Sequence, residues 1–537
     1  MSVMRADLIV LGGTIFTADP ARPRARALAV AGERIVAVGD EKDVRDLADA
    51  RTRVVEVGRG MCLPGFHDAH THLMGAGLVE DELDLTGTRD EADLVARVAS
   101  RARDGEWVLG RGFDPDRMGG WPTRAALDRA APRSPVLLVR RDGHAAVAGT
   151  RALELAAITS RTVDPAGGKI IRDARGEPTG VLLEDAAIDL VRGRVPKPSL
   201  DARARAAERG LARARSLGIT SIQDDESWDD ALRPVEAYAE LLRSGRLTAR
   251  VTLWQRLGRA RDELRRERAS VPEQRGAPRL ACGLEKGYLD GSLGSRTALV
   301  CEPYEDDHEN RGVARAEPGA LIAQVREAHA AGAQVGLHAI GDEAVKMALD
   351  AYEALAREVG IAAVRERRHR IEHAQIVRPA DVARFAALGV VASVQPVHLS
   401  SDMLIARERL GARCASSYPW RAFRDGGVAL AFGSDFPVEP LEPLRGIACA
   451  VERRSFAEPA RPPFFPEQAV TLEDALVAFT RGAAFAAHQE GDRGRIAPGF
   501  LADLAVLDRD LLAIPAAEIA SARARVTIVG GEVVHDG

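Results

Sequence analysis

Aromatic side chains make up only 4% of the chain, so the stacking platforms that single-stranded nucleic acids and many sugars require are scarce. Basic charge is not in surplus either. Lys and Arg total 74 against 79 Asp and Glu, a formal net charge of -5 with the two signs interspersed, which excludes the electrostatic footprint of a nucleic-acid binder. The five cysteines, Cys62, Cys282, Cys301, Cys414 and Cys449, lack paired ligand spacing. An odd count fits a reducing compartment better than a disulfide framework. No stretch is apolar and uncharged over the length of a membrane span, and the opening MSVMRADLIVLGG has no long apolar region with a cleavage site. These absences predict a cytoplasmic protein with neither nucleic acid nor membrane as partner. Homo-oligomerisation is the default expectation, and no segment fixes its order.

Apolar material is plentiful: hydrophobic residues make up 46% of 537, enough for a large domain with a satellite. Both ends have β character. DLIVLGGTIFT, ALAVAGERIVAVG and TRVVEVG are short apolar stretches cut by Gly or charged turns, and GRIAPGFLADLAVLDRD with RVTIVGGEVVHDG repeats that texture. Each is too short to bury a face alone, so residues 1–60 and 490–537 are expected to share one small β-sandwich-like domain. Between them strand and helix alternate. Candidate strands at 219–224, 250–254, 281–289, 334–338, 368–373, 390–395 and 428–434 join the one leading into His70, making eight. The stretches between several of them, such as DEAVKMALDAYEALAREVG, place apolar residues three and four apart and close on Gly. Eight such units predict an α/β fold, a (β/α)8 TIM barrel over 61–489 with its active face at the carboxyl ends of the strands. An inserted lobe at 80–205 follows the first strand and is too long for a plain connection. With Trp107, Trp121 and His144 it is expected to cover the mouth, which loop 399–420 is expected to border.

The chemistry centres on CLPGFHDAHTHLM, Cys62–Met74. Pro64-Gly65 ends an extended approach, and His70 and His72, two residues apart, leave the same face of a strand. Two imidazoles held so can share a first-row metal ion. Later strand ends supply matching donors: His338 in GLHAIGD, His373 in RHRIEHAQ and Asp435 in GSDFP. Nitrogen and oxygen donors of this kind suit a divalent ion, zinc first, with nickel, manganese or iron as alternatives. Lys286, in CGLEKGYLDG, falls near the end of the fourth candidate strand. Desolvation and cationic neighbours lower a lysine pKa, and the neutral amine can add carbon dioxide to become a carbamate with two bridging oxygens. A plain salt-bridged lysine is the alternative, and Asp290 is a second polar contact there. SLGSRT at 292–297 lacks the spacing of a phosphate loop and reads as pocket lining.

PGFHDAHTH, the DGH of 142–144, KGYLDGSLGSRTA, HAIGD, RIEHA and GSDFPV occur in an order that resembles the metal-dependent amidohydrolase superfamily, in particular its amidohydrolase-3 branch of N-substituted formamide deformylase-like proteins. The resemblance covers nearly the whole chain. It implies His70 and His72 on the more buried of one or two ions with Asp435 in contact, His338 and His373 on the second, and carboxylated Lys286 as the bridge. It also implies His67 and Asp68 as neighbours that orient the ligands, and His144 as a substrate contact. Where many branch members place an Asn-Ser pair after the DGH motif, this chain has Gly149-Thr150-Arg151. The implied activity is hydrolysis of a non-peptide C–N bond in a small amide, formamide or related compound by metal-activated water, with Asp435 moving the proton. Deamination, with Asp342 or Glu343 as acid, and ester or lactone hydrolysis are the alternatives on this fold. A non-catalytic metal-stabilised binding protein is a remote third.

Overall fold

A computed structural model describes residues 5–140, 143, 145–165, 168–228 and 232–537. The alternating region forms a parallel eight-stranded sheet. Its strands, labelled β1 to β8 here, are Phe66–Thr71, Ile219–Asp224, Arg250–Arg256, Leu280–Tyr288, Val335–Ala339, Arg370–His373, Val391–Val394 and Leu430–Phe432. Successive strands pair in parallel, with Tyr288 opposite His338 and His338 opposite Glu372. β1 and β8 meet just beyond the regular ladder, where Asp435 N donates to the His70 carbonyl and His72 N to the Phe436 carbonyl, both at 2.7 Å. The TIM barrel thus closes through the backbone of the histidine pair and Asp435.

Local sequence explains these elements. β1 (FHDAHT) and β7 (VASV) are buried along their whole length, as strands covered on both faces must be. Helix Leu200–Ser216 buries Ala204, Ala207, Leu211 and Ala214, three or four residues apart, so that one stripe faces the sheet. Helix Pro379–Leu388 stops where Gly389 takes φ +66°, a left-handed conformation that glycine adopts without a Cβ clash.

The terminal segments build a separate mixed sheet of eight strands. Leu8–Phe16 runs parallel to Arg53–Glu56 and Met61–Pro64 and antiparallel to Arg24–Ala31. Leu504–Leu507, from the far end of the chain, lies antiparallel to Met61–Pro64 with Val506 opposite Cys62. Leu8, Val10, Leu28, Cys62, Val506 and Ile528 share one core. The two terminal segments thus share one core. The buried Arg250–Asp503 ion pair, 2.7 Å, ties this sheet to β3.

The chain divides into two compact units, Met1–Ala76 with Arg203–Gly537, and Gly77–Ala202. The second has its own six-stranded sheet. Along Val136–Arg140, Leu137 enters one apolar core with Leu182 and Ile188, and Leu138 enters another with Leu94 and Val98, the alternation expected of a strand. Val136–Arg140 and Ala145–Ala148 pair antiparallel, with Ala146 opposite Val139. His144 lies outside the described residues. No helix of the described residues is long and apolar enough to cross a membrane, and all five cysteines are free.

Candidate metal centre

Arg370 and Glu372 share the inward face of β6, as period-two alternation requires, and together they fix His70. Arg370 Nε lies 2.8 Å from Glu372 Oε1, and Glu372 Oε2 lies 3.0 Å from His70 Nδ1. With Nδ1 given to the carboxylate, His70 Nε2 is left for a metal. His72 Nδ1 meets the backbone carbonyl of Asp225, which likewise frees its Nε2. A carboxylate or carbonyl behind each imidazole is how metal-binding histidines are held in one tautomer.

Asp435 stands between two groups of donors. Its Oδ1 lies 3.1 Å from His72 Nε2 and 3.6 Å from His70 Nε2, while Oδ2 lies 3.2 Å from His398 Nε2. The contact with His398 is off the hydrogen-bond direction, so His398 Nε2 is a buried nitrogen without a hydrogen bond. Donor atoms of His70, His72 and Asp225 lie within 4.8 Å of one another, and so do those of His373, His398 and Asp435. His338 packs its ring 4.4 Å from that of His373. Its Nδ1 is 2.9 Å from Asp290 Oδ1, and Asp290 is itself held by the amides of Leu299, Ile340 and Gly341. His373 and Asp435 take φ of +69° and +59°, strained values for residues with a Cβ, of the kind that functional sites retain. Gly433 is needed for space, since a Cβ there would sit 2.6 Å from His70 N.

Lys286 is buried in the same site. Its Nζ is 2.8 Å from Asp225 Oδ2 and 3.4 Å from His70 Nε2, and the Tyr288 hydroxyl donates to the same Asp225 oxygen at 2.9 Å. The Trp254 ring lies 4.8 Å from Nζ, a favourable place for a cation. Asp68 works behind the ligands: its Oδ1 accepts from His70 N and Ser434 N, fastening β1 to the loop after β8. His67 Nε2 is 3.2 Å from Gln223 Nε2. The arrangement brings His70, His72, Lys286, His338, His373 and Asp435 to one mouth. Sequence reasoning missed Asp225, His398 and Glu372. The run of acids at 224–226 closing β2, and a histidine four residues beyond β7, were the available signals.

The charges are strongly coupled. Burial lowers the pKa of His70 to about 4, aided by Lys286. Burial also works against a charge on His72, but Asp435, Asp225 and Glu226 outweigh it and raise its pKa to about 9. Asp435 is held well below the usual carboxylate range: burial opposes ionisation, and His398, His70 and His72 overcome it. Burial raises Asp68 to about 7 against hydrogen bonds from Ser434 and His70. Imidazole nitrogens converging with ionised carboxylates are the donor set of a first-row divalent ion, and the buried His398 nitrogen, which faces Asp435 without a hydrogen bond, fits the same need. Asp342 and Glu343 face elsewhere, with Asp342 Oδ1 accepting from Cys301 N and Glu343 Oε2 from Cys301 Sγ. In the 292–297 loop, Arg296 pairs with Asp306, and Ser295 bonds to Ser292 and Thr297.

Comparison with known proteins agrees with this geometry. A family model described as amidohydrolase family matches residues 54–535. Protein LONG AFTER FAR-RED 3 of Arabidopsis thaliana is 36% identical over 99% of this chain and 92% of its own. N-substituted formamide deformylase of Arthrobacter pascens is 29% identical over 100% and 99%. A crystal structure of an uncharacterized metal-dependent hydrolase from Pyrococcus furiosus superimposes with a TM-score of 0.77 at 30% identity, covering 94% of this chain and 99% of that one.

Proposed function

The chain belongs to the amidohydrolase family, and on that premise we propose that it is a metal-dependent hydrolase cleaving the non-peptide C–N bond of a small amide, formamide or related compound. The observation that carries this reading is Asp435, one carboxylate spanning two groups of converging donors at the barrel mouth. His70 and His72 with Asp225 and Asp435 would hold one ion, and His373 and His398 with Asp435 a second, with His338 alongside. A divalent ion in this mouth, zinc first, supplies the Lewis acidity that polarises a carbonyl and lowers the pKa of water.

The chain's own residues supply the rest. Asp435 takes the proton that an attacking water must lose and returns it to the leaving nitrogen, which would otherwise depart as a strongly basic anion. Being held ionised, its carboxylate is ready to accept. The Arg370–Glu372–His70 chain and the Asp225 carbonyl keep both imidazoles oriented while this happens. Lys286 has two forms in this proposal. As an ammonium it neutralises Asp225; with carbon dioxide the neutral amine would form a carbamate and release a proton, leaving an anion there that would help to hold the ions. Deamination loses its candidate acids, because Asp342 and Glu343 are both engaged with Cys301.

The test is turnover of a panel of formamides, acetamides, ureas, esters and lactones by metal-stripped protein and by protein reloaded with zinc, manganese or nickel. C–N hydrolysis that depends on metal is the expected result. Turnover of esters alone would reassign the bond, and metal binding without any turnover would leave a binding protein. Incubation with carbon-13-labelled bicarbonate and carbon NMR detects the Lys286 carbamate directly.

A further inference from the structure

Resting on that reading, we propose that the substrate is an amide bearing a carboxylate, which Arg256 and Arg315 recognise beside the Trp228 ring. A cavity of about 540 Å³ is lined by Trp228, Arg256, Lys286, Tyr288, Arg315 and Gln324, among others, a size that suits a small ligand. It adjoins the metal centre directly, because the Lys286 ammonium and Tyr288 hydroxyl both end on Asp225 Oδ2. Arg256 closes β3 two residues after Trp254, whose ring lies 4.9 Å from that of His70. Strand alternation therefore puts Arg256 on the same side of the sheet as Trp254.

The state of the two guanidinium groups distinguishes them from ordinary surface arginines. Neighbouring arginines are committed: Arg259 to Glu267 at 3.0 Å, Arg261 to Glu285 at 2.7 Å and Arg296 to Asp306 at 2.8 Å. Arg256 and Arg315 make no side-chain hydrogen bond or ion pair among the described residues. Glu317, the one acid among the described lining residues, accepts from Ala320 N at 2.8 Å as the cap of helix Pro318–Ala330. The lining therefore has cationic charge to spare next to the reacting groups. A guanidinium fork matches a carboxylate with two parallel hydrogen bonds. Trp228, half exposed, adds a flat apolar face for the body of the molecule.

The experiment compares N-formylphenylalanine with N-formylphenethylamine, which differ only in the carboxylate, and the corresponding N-acetyl pair, using metal-loaded protein. Wild-type kcat/KM is expected to favour the acid by at least about tenfold, through KM, the scale of one charge-assisted contact. In the Arg256→Gln, Arg315→Gln double variant that preference should vanish, with the ratio of kcat/KM for acid and neutral compound falling to about one. R256K with R315K should keep part of it. Equal kcat/KM for acid and neutral compound in the wild type overturns the inference but leaves amide hydrolysis standing. If none of the four compounds is hydrolysed, that counts against the C–N hydrolase reading, and isothermal titration of the same pairs still decides this one. Tighter binding of the acid, lost in the double variant, supports it; equal binding overturns it.

Discussion

His70 and His72 are braced from behind, whereas His373 and His398 are held chiefly by the chain that carries them. The first pair rests on Glu372, itself paired with Arg370, and on the Asp225 carbonyl. In the second, His373 owes its place to a left-handed turn, and His398 begins a helix with its Nε2 lacking a hydrogen bond. The difference teaches something about the ions. Imidazoles locked in one tautomer have less order left to acquire on binding, so the first position should be the tighter and the second the exchangeable one. Asp435 belongs to both, which makes it the place where the comparison can be broken outright.

The largest effect is expected there. Asp435→Asn keeps the shape but removes the proton acceptor, and turnover should fall by about 10²–10⁴. The braced pair should still retain its ion. Lys286→Ala comes next, with both metal occupancy and turnover falling by about 100-fold or more if the carbamate bridges. Formate or acetate should then restore part of the rate. Metal-to-protein ratios and hydrolysis rates on the same preparations check both variants. Wild-type occupancy and rate in K286A would leave Lys286 as a mere partner of Asp225.

A smaller effect separates the two positions. His398→Ala should release one ion and spare the other, whereas Glu372→Gln should weaken the braced position by about 10–100-fold in metal affinity. Competition with a chelator, followed by elemental analysis, reads both. Loss of both ions together in H398A would mean that the two positions form one unit and that the contrast in bracing has no thermodynamic consequence.

How much of this was legible in the sequence follows the same contrast. The eight strands and the joined terminal sheet could be read because each leaves a local mark, an apolar run cut by a Gly or a charged turn. The six candidate ligands were named from a histidine, lysine or acid near a strand end. His398 left a weaker mark, because it starts a helix beyond β7 instead of ending a strand. Glu372 was hidden by standing beside His373, and only the pairing of β6 inside a closed barrel brings it behind His70, 302 residues away. Asp225 was one of three consecutive acids, and nothing local tells which of them turns toward Lys286.

The last prediction concerns the metal-free protein and uses pH to tell the two positions apart. His72 in the folded state titrates near 9, above the ordinary value of about 6.5 that it regains on unfolding. A raised pKa means that the folded state holds a proton the unfolded state has released. The resulting stabilisation is fully present below about pH 6.5 and is lost as pH rises through 9. Of its three acidic partners, Asp435 and Asp225 are held low and stay ionised throughout that window, whereas burial pushes Glu226 well above the usual carboxylate range. The stability difference between metal-free wild type and His72→Gln should therefore shrink across that window, with a slope no steeper than about 1.4 kcal/mol per pH unit. His373 has the opposite sign: burial, with His338, pushes its pKa well below 6.5. Its neutral ring costs stability only at acid pH, so the difference between wild type and His373→Gln should be flat from pH 6.5 to 9. Urea unfolding of the three metal-free proteins at several pH values measures both differences. Parallel curves for the two variants would show that the carboxylates do not distinguish the positions and that the braced pair has no charge advantage before metal arrives.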